Sequence, residues 1–183
     1  MNQIINITTP EADYGVVSAP QTVRIQRLLP GPIERIWSYL TEGELRRQWL
    51  AAGDMQLQVG APFELVWRND ELTDPPGRRP EGFAEEERMQ SRIIEVDPPR
   101  RLAFAWGGGD VTIDLEPKGD QVLLTVVHRG ISDRANLLMI GAGWHMHLDV
   151  LVLRATEKTA QAQETFWDGW TRLRAEYDRR IPA

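Results

Sequence analysis

The chain has 183 residues, a formal net charge of −6 and no cysteine. The charge argues against nucleic-acid binding, which needs a basic face, and the missing thiols exclude disulfides, thiolate metal sites and a cysteine nucleophile. The length allows one domain with a small appendage. No run of about 18 apolar residues suggests a membrane span, and residues 1–10 lack the pattern of a signal peptide, which points to the cytoplasm.

Residues 1–20 hold Pro10 and Pro20 and no sustained period, so they read as a tail that pairs at a sheet edge. Thr22 to Leu29 alternates and predicts a first strand. Pro30-Gly31-Pro32 breaks it, and Ile33, Ile36, Trp37 and Leu40 form the stripe of a short helix. A second short helix is expected over Gly43 to Trp49. Met55 to Val59 alternates and predicts a strand with one wet face, followed by Phe63, Leu65 and Trp67 on the next. Residues 69–87 form a polar insert rich in Pro, Gly and acid, expected to be a mobile loop. Its run Glu85-Glu86-Glu87 reads as a solvated face.

Strands follow over Arg88 to Val96, Arg101 to Trp106, Val111 to Leu115 and Gln121 to Arg129, joined by tight Pro or Gly turns. Short turns favour an antiparallel meander. The longest helical period then starts after Asp133, an N-cap candidate, and runs to Lys158. Trp144, Leu148, Leu151, Val152 and Ala155 share its apolar face, and Gly141 and Gly143 suggest a bend. Residues 159–165 read as a linker. Phe166, Trp167, Trp170, Leu173 and Tyr177 give a last amphipathic helix, whose aromatic face must bury on the core or on a second copy of the chain. The expected fold is α+β: a curved sheet of six or seven strands gripping a long C-terminal helix. The expected domain spans residues 21–158, with residues 159–183 as linker and appended helix.

That order, with the motifs Pro30-Gly31-Pro32-Ile33-Glu34-Arg35-Ile36-Trp37, Gln48-Trp49, Asp97-Pro98-Pro99-Arg100-Arg101-Leu102-Ala103-Phe104-Ala105-Trp106, Thr125-Val126-Val127-His128-Arg129-Gly130, Gly143-Trp144 and Leu148-Asp149, resembles the START-like, or Bet v 1-like, superfamily. More narrowly it resembles the family named after the activator of Hsp90 ATPase homologue 1. The resemblance implies a helix-grip fold and, across members, three roles: binding an apolar ligand, aromatase/cyclase-type catalysis, or interaction with a chaperone.

The inward apolar faces are either a filled core or the lining of a cavity, and the resemblance favours the cavity. Phe63, Leu65, Trp67, Phe104, Trp106, Ile113, Leu124, Val126, Trp144, Leu148, Leu151 and Val152 converge between sheet and long helix, so a small apolar molecule is the expected partner. The weaker candidates for proton transfer are His145 and Asp149, four apart on the helix, and His128, which shares the apolar parity of its strand. His145 or His128 is placed near the cavity mouth, and His147 reads as structural. No GxSxG motif is present, and Gly107-Gly108-Gly109 precedes a strand and lacks a P-loop lysine, so it reads as a turn. Neither a metal nor another cofactor is expected.

Overall fold

The computed structural model describes residues 9–157 and 164–183. Strand β1 (Val16–Ala19) and strand β2 (Thr22–Pro30) open the chain. Two short helices follow, α1 (Ile33–Thr41) and α2 (Gly43–Arg46). Then come β3 (Pro62–Trp67), β4 (Glu87–Asp97), β5 (Arg101–Trp106), β6 (Gly109–Lys118) and β7 (Gln121–Arg129), the long helix α3 (Arg134–Thr156) and a last helix α4 (Phe166–Arg180). All neighbouring strands pair antiparallel, in the order β1-β2-β7-β6-β5-β4-β3. This is the helix-grip arrangement the sequence led us to expect.

The period of two decides which face is apolar. In β7, Val122, Leu124, Val126 and His128 are buried, and their partners across the ladder include Val111, Ile113 and Leu115 of β6. These side chains meet α3, where Leu148, Val150 and Leu151 are fully buried. Helix α3 starts at Asp133, whose carboxylate accepts from the Asn136 N–H at 2.9 Å. By length and composition α3 could cross a membrane, yet most of it lies inside the fold as its core helix.

Four expectations are corrected here. Met55 to Val59 is not a strand. The outer edge of β3 bonds Ala52 through its Val66, and Leu57 and Val59 stay exposed, so the alternation has no face to bury. Helix α3 is not interrupted at Gly141 or Gly143 and runs on to Thr156. It is also not a two-faced helix. Helix α4 covers the side that the sheet leaves open, so His145, Met146 and His147 are buried as well as the apolar stripe. The two helices approach closely at Gly169, where a Cβ would lie 2.5 Å from the Met146 sulfur.

The fourth correction concerns the insert. It is docked rather than free. One side chain and one carbonyl of the insert take the first N–H groups of α4: the Phe166 N–H donates to Thr73 Oγ1 at 2.9 Å and the Trp167 N–H to the Pro76 carbonyl at 3.1 Å. The Trp167 indole donates to Asp70 at 2.6 Å, and Arg79 pairs with the same carboxylate. Leu72 and Phe83, the large apolar side chains of this otherwise polar segment, both pack inward. At the other end of the chain, the predicted tail supplies β1 on the sheet edge, while residues 1–8 lie outside the described region. The linker over residues 159–165 falls mostly outside it too. The aromatic face of α4 is used within the chain: Phe166, Trp167, Trp170, Leu173 and Tyr177 are all buried.

Candidate functional site

A cavity of about 440 Å³ lies at the N-terminal half of α3. One wall comes from the sheet, with Trp67 on β3, Met89 on β4 and Trp106 on β5. Helix α3 presents Met139, Ile140, Gly143, Trp144 and His147 at helical spacing. The opposite wall is α4, through Phe166, Trp167 and Trp170, and the insert closes it with Asn69 and Phe83. The rings touch in series. Trp106 lies 5.1 Å from Trp67 and 5.7 Å from Trp144, and Phe83 lies 5.0 Å from both Trp167 and Trp170. Charge is confined to exposed Glu87 and Arg88 at the rim, and Arg88 is already paired with Glu86 and Glu64.

The three histidines are all buried and separated by task. His147 lines the cavity, and its Nδ1 lies 2.7 Å from the Trp49 carbonyl. A carbonyl only accepts, so Nδ1 carries the proton. Burial pushes its pKa down to about 4, partly countered by that hydrogen bond. His128 sits behind the sheet-side wall, where its Nδ1 accepts from the Trp144 indole at 3.1 Å. Burial lowers His128 to about 4 against the opposing pull of Asp110. Trp144 is thereby held in place, and His128 packs against Trp106 at a steep tilt, 5.0 Å between ring centroids.

His145 lies away from the cavity, under Tyr14 and Tyr177. The Gly15 N–H donates to the Tyr177 oxygen at 2.7 Å, and the Tyr177 hydroxyl donates onward to His145 Nδ1 at 3.0 Å. The His145 proton therefore sits on Nε2, which has no hydrogen-bond partner among the described residues and lies 3.6 Å from Asp149. Burial, then the positive charges of Arg27, Arg172 and Arg180, push its pKa down to about 3. Asp149 pairs with buried Arg27 at 2.8 Å, and desolvation raises its pKa while Arg27 opposes the rise. This cluster ties β2, α3, α4 and the segment before β1 together.

The sequence-predicted site residues thus divide. Trp67, Trp106 and Trp144 line the cavity. Phe63, Leu65, Phe104, Ile113, Leu124, Val126, Leu148 and Leu151 are packed in the filled core, and Val152 is half-buried outside the cavity. His145 and Asp149 do pair, but on the far side of α3, and neither they nor His128 reach the cavity. The sequence reading missed His147 and the α4 wall. Helix α4 was visible as an aromatic face, yet nothing in the sequence said which surface it would cover. Among the described residues, no group of three or more His, Asp or Glu side chains is placed to hold a metal ion.

Residues 30–156 match the family model of activator of Hsp90 ATPase homolog 1-like proteins, over more than half of the chain. The chain belongs to the activator of Hsp90 ATPase homologue 1-like family. A Bordetella parapertussis protein, the product of gene BPP1335 known from solution NMR, is 32% identical over 97% of each chain, with a TM-score of 0.74. CalU16 from Micromonospora echinospora is 23% identical, with 87% of this chain and 84% of that one covered and a TM-score of 0.60. DynU16, from the dynemicin biosynthetic locus, is 19% identical over 75% of this chain and 48% of its own, also at 0.60. The last two show the shared START-like fold. No curated protein matches the chain. The family match takes in the β3, β5 and α3 walls of the cavity and ends before α4.

Proposed function

We propose that this family member binds a small apolar molecule in the aromatic cavity between sheet, α3 and α4. The observation that carries the proposal is the wall itself. Seven Phe and Trp rings surround about 440 Å³, with charge only at the rim. A volume of that order, apolar and with few polar groups, is typical of small-ligand sites. The walls are also rigid, because Trp144 is fixed by His128 and Trp167 by Asp70. Pre-formed walls spare the ligand much of the ordering cost of binding.

Gly143 gives the cleanest test. It lines the cavity, and a Cβ built there meets nothing within 4 Å. Gly143→Phe should therefore fill the cavity without disturbing the core. Wild-type protein is expected to bind an environment-sensitive apolar dye saturably, and Gly143→Phe to lose that binding with its circular dichroism intact. Val152→Trp, outside the cavity, should retain it. A wild type without saturable binding, or a Gly143→Phe that binds as well, would remove the proposal. The small change Gly143→Ala should raise stability by about 0.5–1 kcal/mol, since Ala is the better helix former and has room. Urea unfolding would show it, and a lowered midpoint would mean the site is tighter than the geometry says.

A further inference from the structure

The polar inventory of the cavity is uneven, and His147 stands out in it. The other two buried histidines use their acceptor nitrogen inside the protein: His128 for the Trp144 indole and His145 for the Tyr177 hydroxyl. His147 is wired the other way round. Its Nδ1 proton goes to the Trp49 carbonyl, so the lone pair is on Nε2. No described residue hydrogen-bonds that nitrogen. His147 lines the cavity. Its ring is fixed against Phe166, 5.0 Å away.

We infer that the bound molecule is an aromatic body carrying a neutral proton donor, a phenol-type hydroxyl or a ring N–H, which donates to His147 Nε2. This rests on the proposed cavity function. Two features favour a neutral donor over an anion. Arg88 at the rim is matched by two carboxylates, 2.6 and 2.7 Å away, so it offers no unopposed positive charge. The imidazole itself stays uncharged near neutral pH because burial disfavours its cation. Of the indoles that line the cavity, those of Trp144 and Trp167 already donate internally, while Trp67, Trp106 and Trp170 have no indole hydrogen bond among the described residues and can meet an acceptor on the same ring system. His147 is then a specificity-determining residue. It adds little to how tightly an apolar ring is held and much to which ring is chosen.

Two probes separate the possibilities. 2-Naphthol and 2-methoxynaphthalene share one ring system, and only the first can donate. Wild-type protein is expected to bind naphthol about 10-fold more tightly, the equivalent of one hydrogen bond to an otherwise unmet acceptor. His147→Phe should keep both probes at nearly the methoxy affinity, with the preference gone. In histidine-labelled wild type, the Nε2 nitrogen resonance should shift with naphthol and stay with the ether, a readout that needs no variant. Equal affinity for the two probes, or an unmoved resonance, would overturn this inference and leave the cavity function standing. Failure of both probes to bind would overturn the two together.

Discussion

Lowering the pH from 7 to 5 is expected to cost this protein about 5 kcal/mol of stability. His128, His145 and His147 are buried and neutral, with pKa values of about 4, 3 and 4. In the unfolded chain each returns to about 6.5. Above that value neither state binds the protons and the histidines add no pH dependence. As the pH falls below it, the unfolded state takes up protons that the folded state refuses, so stability falls with pH. The loss is about 1.4 kcal/mol per pH unit for each histidine, or about 4 for the three together, until the pH nears their folded values. Asp149 works in the opposite sense, since its raised pKa lets the folded state accept a proton first. Domains of this size hold about 5–15 kcal/mol in total. Guanidinium midpoints at pH 7, 6 and 5 should therefore drop steeply. A midpoint that does not move across that range would mean the histidines are protonated in the folded protein.

Leu148→Ala is expected to cost about 3–5 kcal/mol. Leu148 is fully buried on α3, in the filled part of the core rather than beside the cavity. Neighbours on the sheet and on the helix are themselves buried, so the hole left behind has little room to collapse. Val152→Ala, one turn further on and half-buried, should cost about 1 kcal/mol or less. Urea unfolding of the two variants side by side checks both the size and the contrast. A loss below 1 kcal/mol at Leu148 would place that side chain against open space.

The sheet was legible because its signals are local. Alternation in β5, β6 and β7, with Pro and Gly turns between, fixes strands and their order without reference to anything distant. Met55 to Val59 carries the same alternation and fails, because β3 is met there by Ala52 and no further strand is available to pair. The candidate site was legible only in part. Trp67, Trp106 and Trp144 share the parity or period of their elements, so pattern alone places them inward. Pattern cannot say where the interior is filled and where it is open, and Leu148, Leu151 and Phe104 fell on the filled side. His145 and His147 are two residues apart on one helix, and the spacing to Asp149 drew the sequence reading to His145 rather than His147. Which of them faces the cavity is decided by where α4 and the insert lie, a long-range contact with no local trace except Phe83 and Leu72, two apolar residues in a polar loop.

The division of the cavity between two parts of the chain has a consequence for relatives. The walls on β3, β5 and α3 fall inside the family-matched stretch, whereas Phe166, Trp167 and Trp170 fall beyond it. A member that keeps the matched stretch but ends differently would inherit only part of the cavity wall, without the rings that α4 contributes here. Chemical preference can then drift by exchange of the C-terminal segment alone, while the sheet and its folding information stay untouched. Grafting residues 164–183 onto a relative, with an insert able to hold them, would transplant a wall rather than a domain.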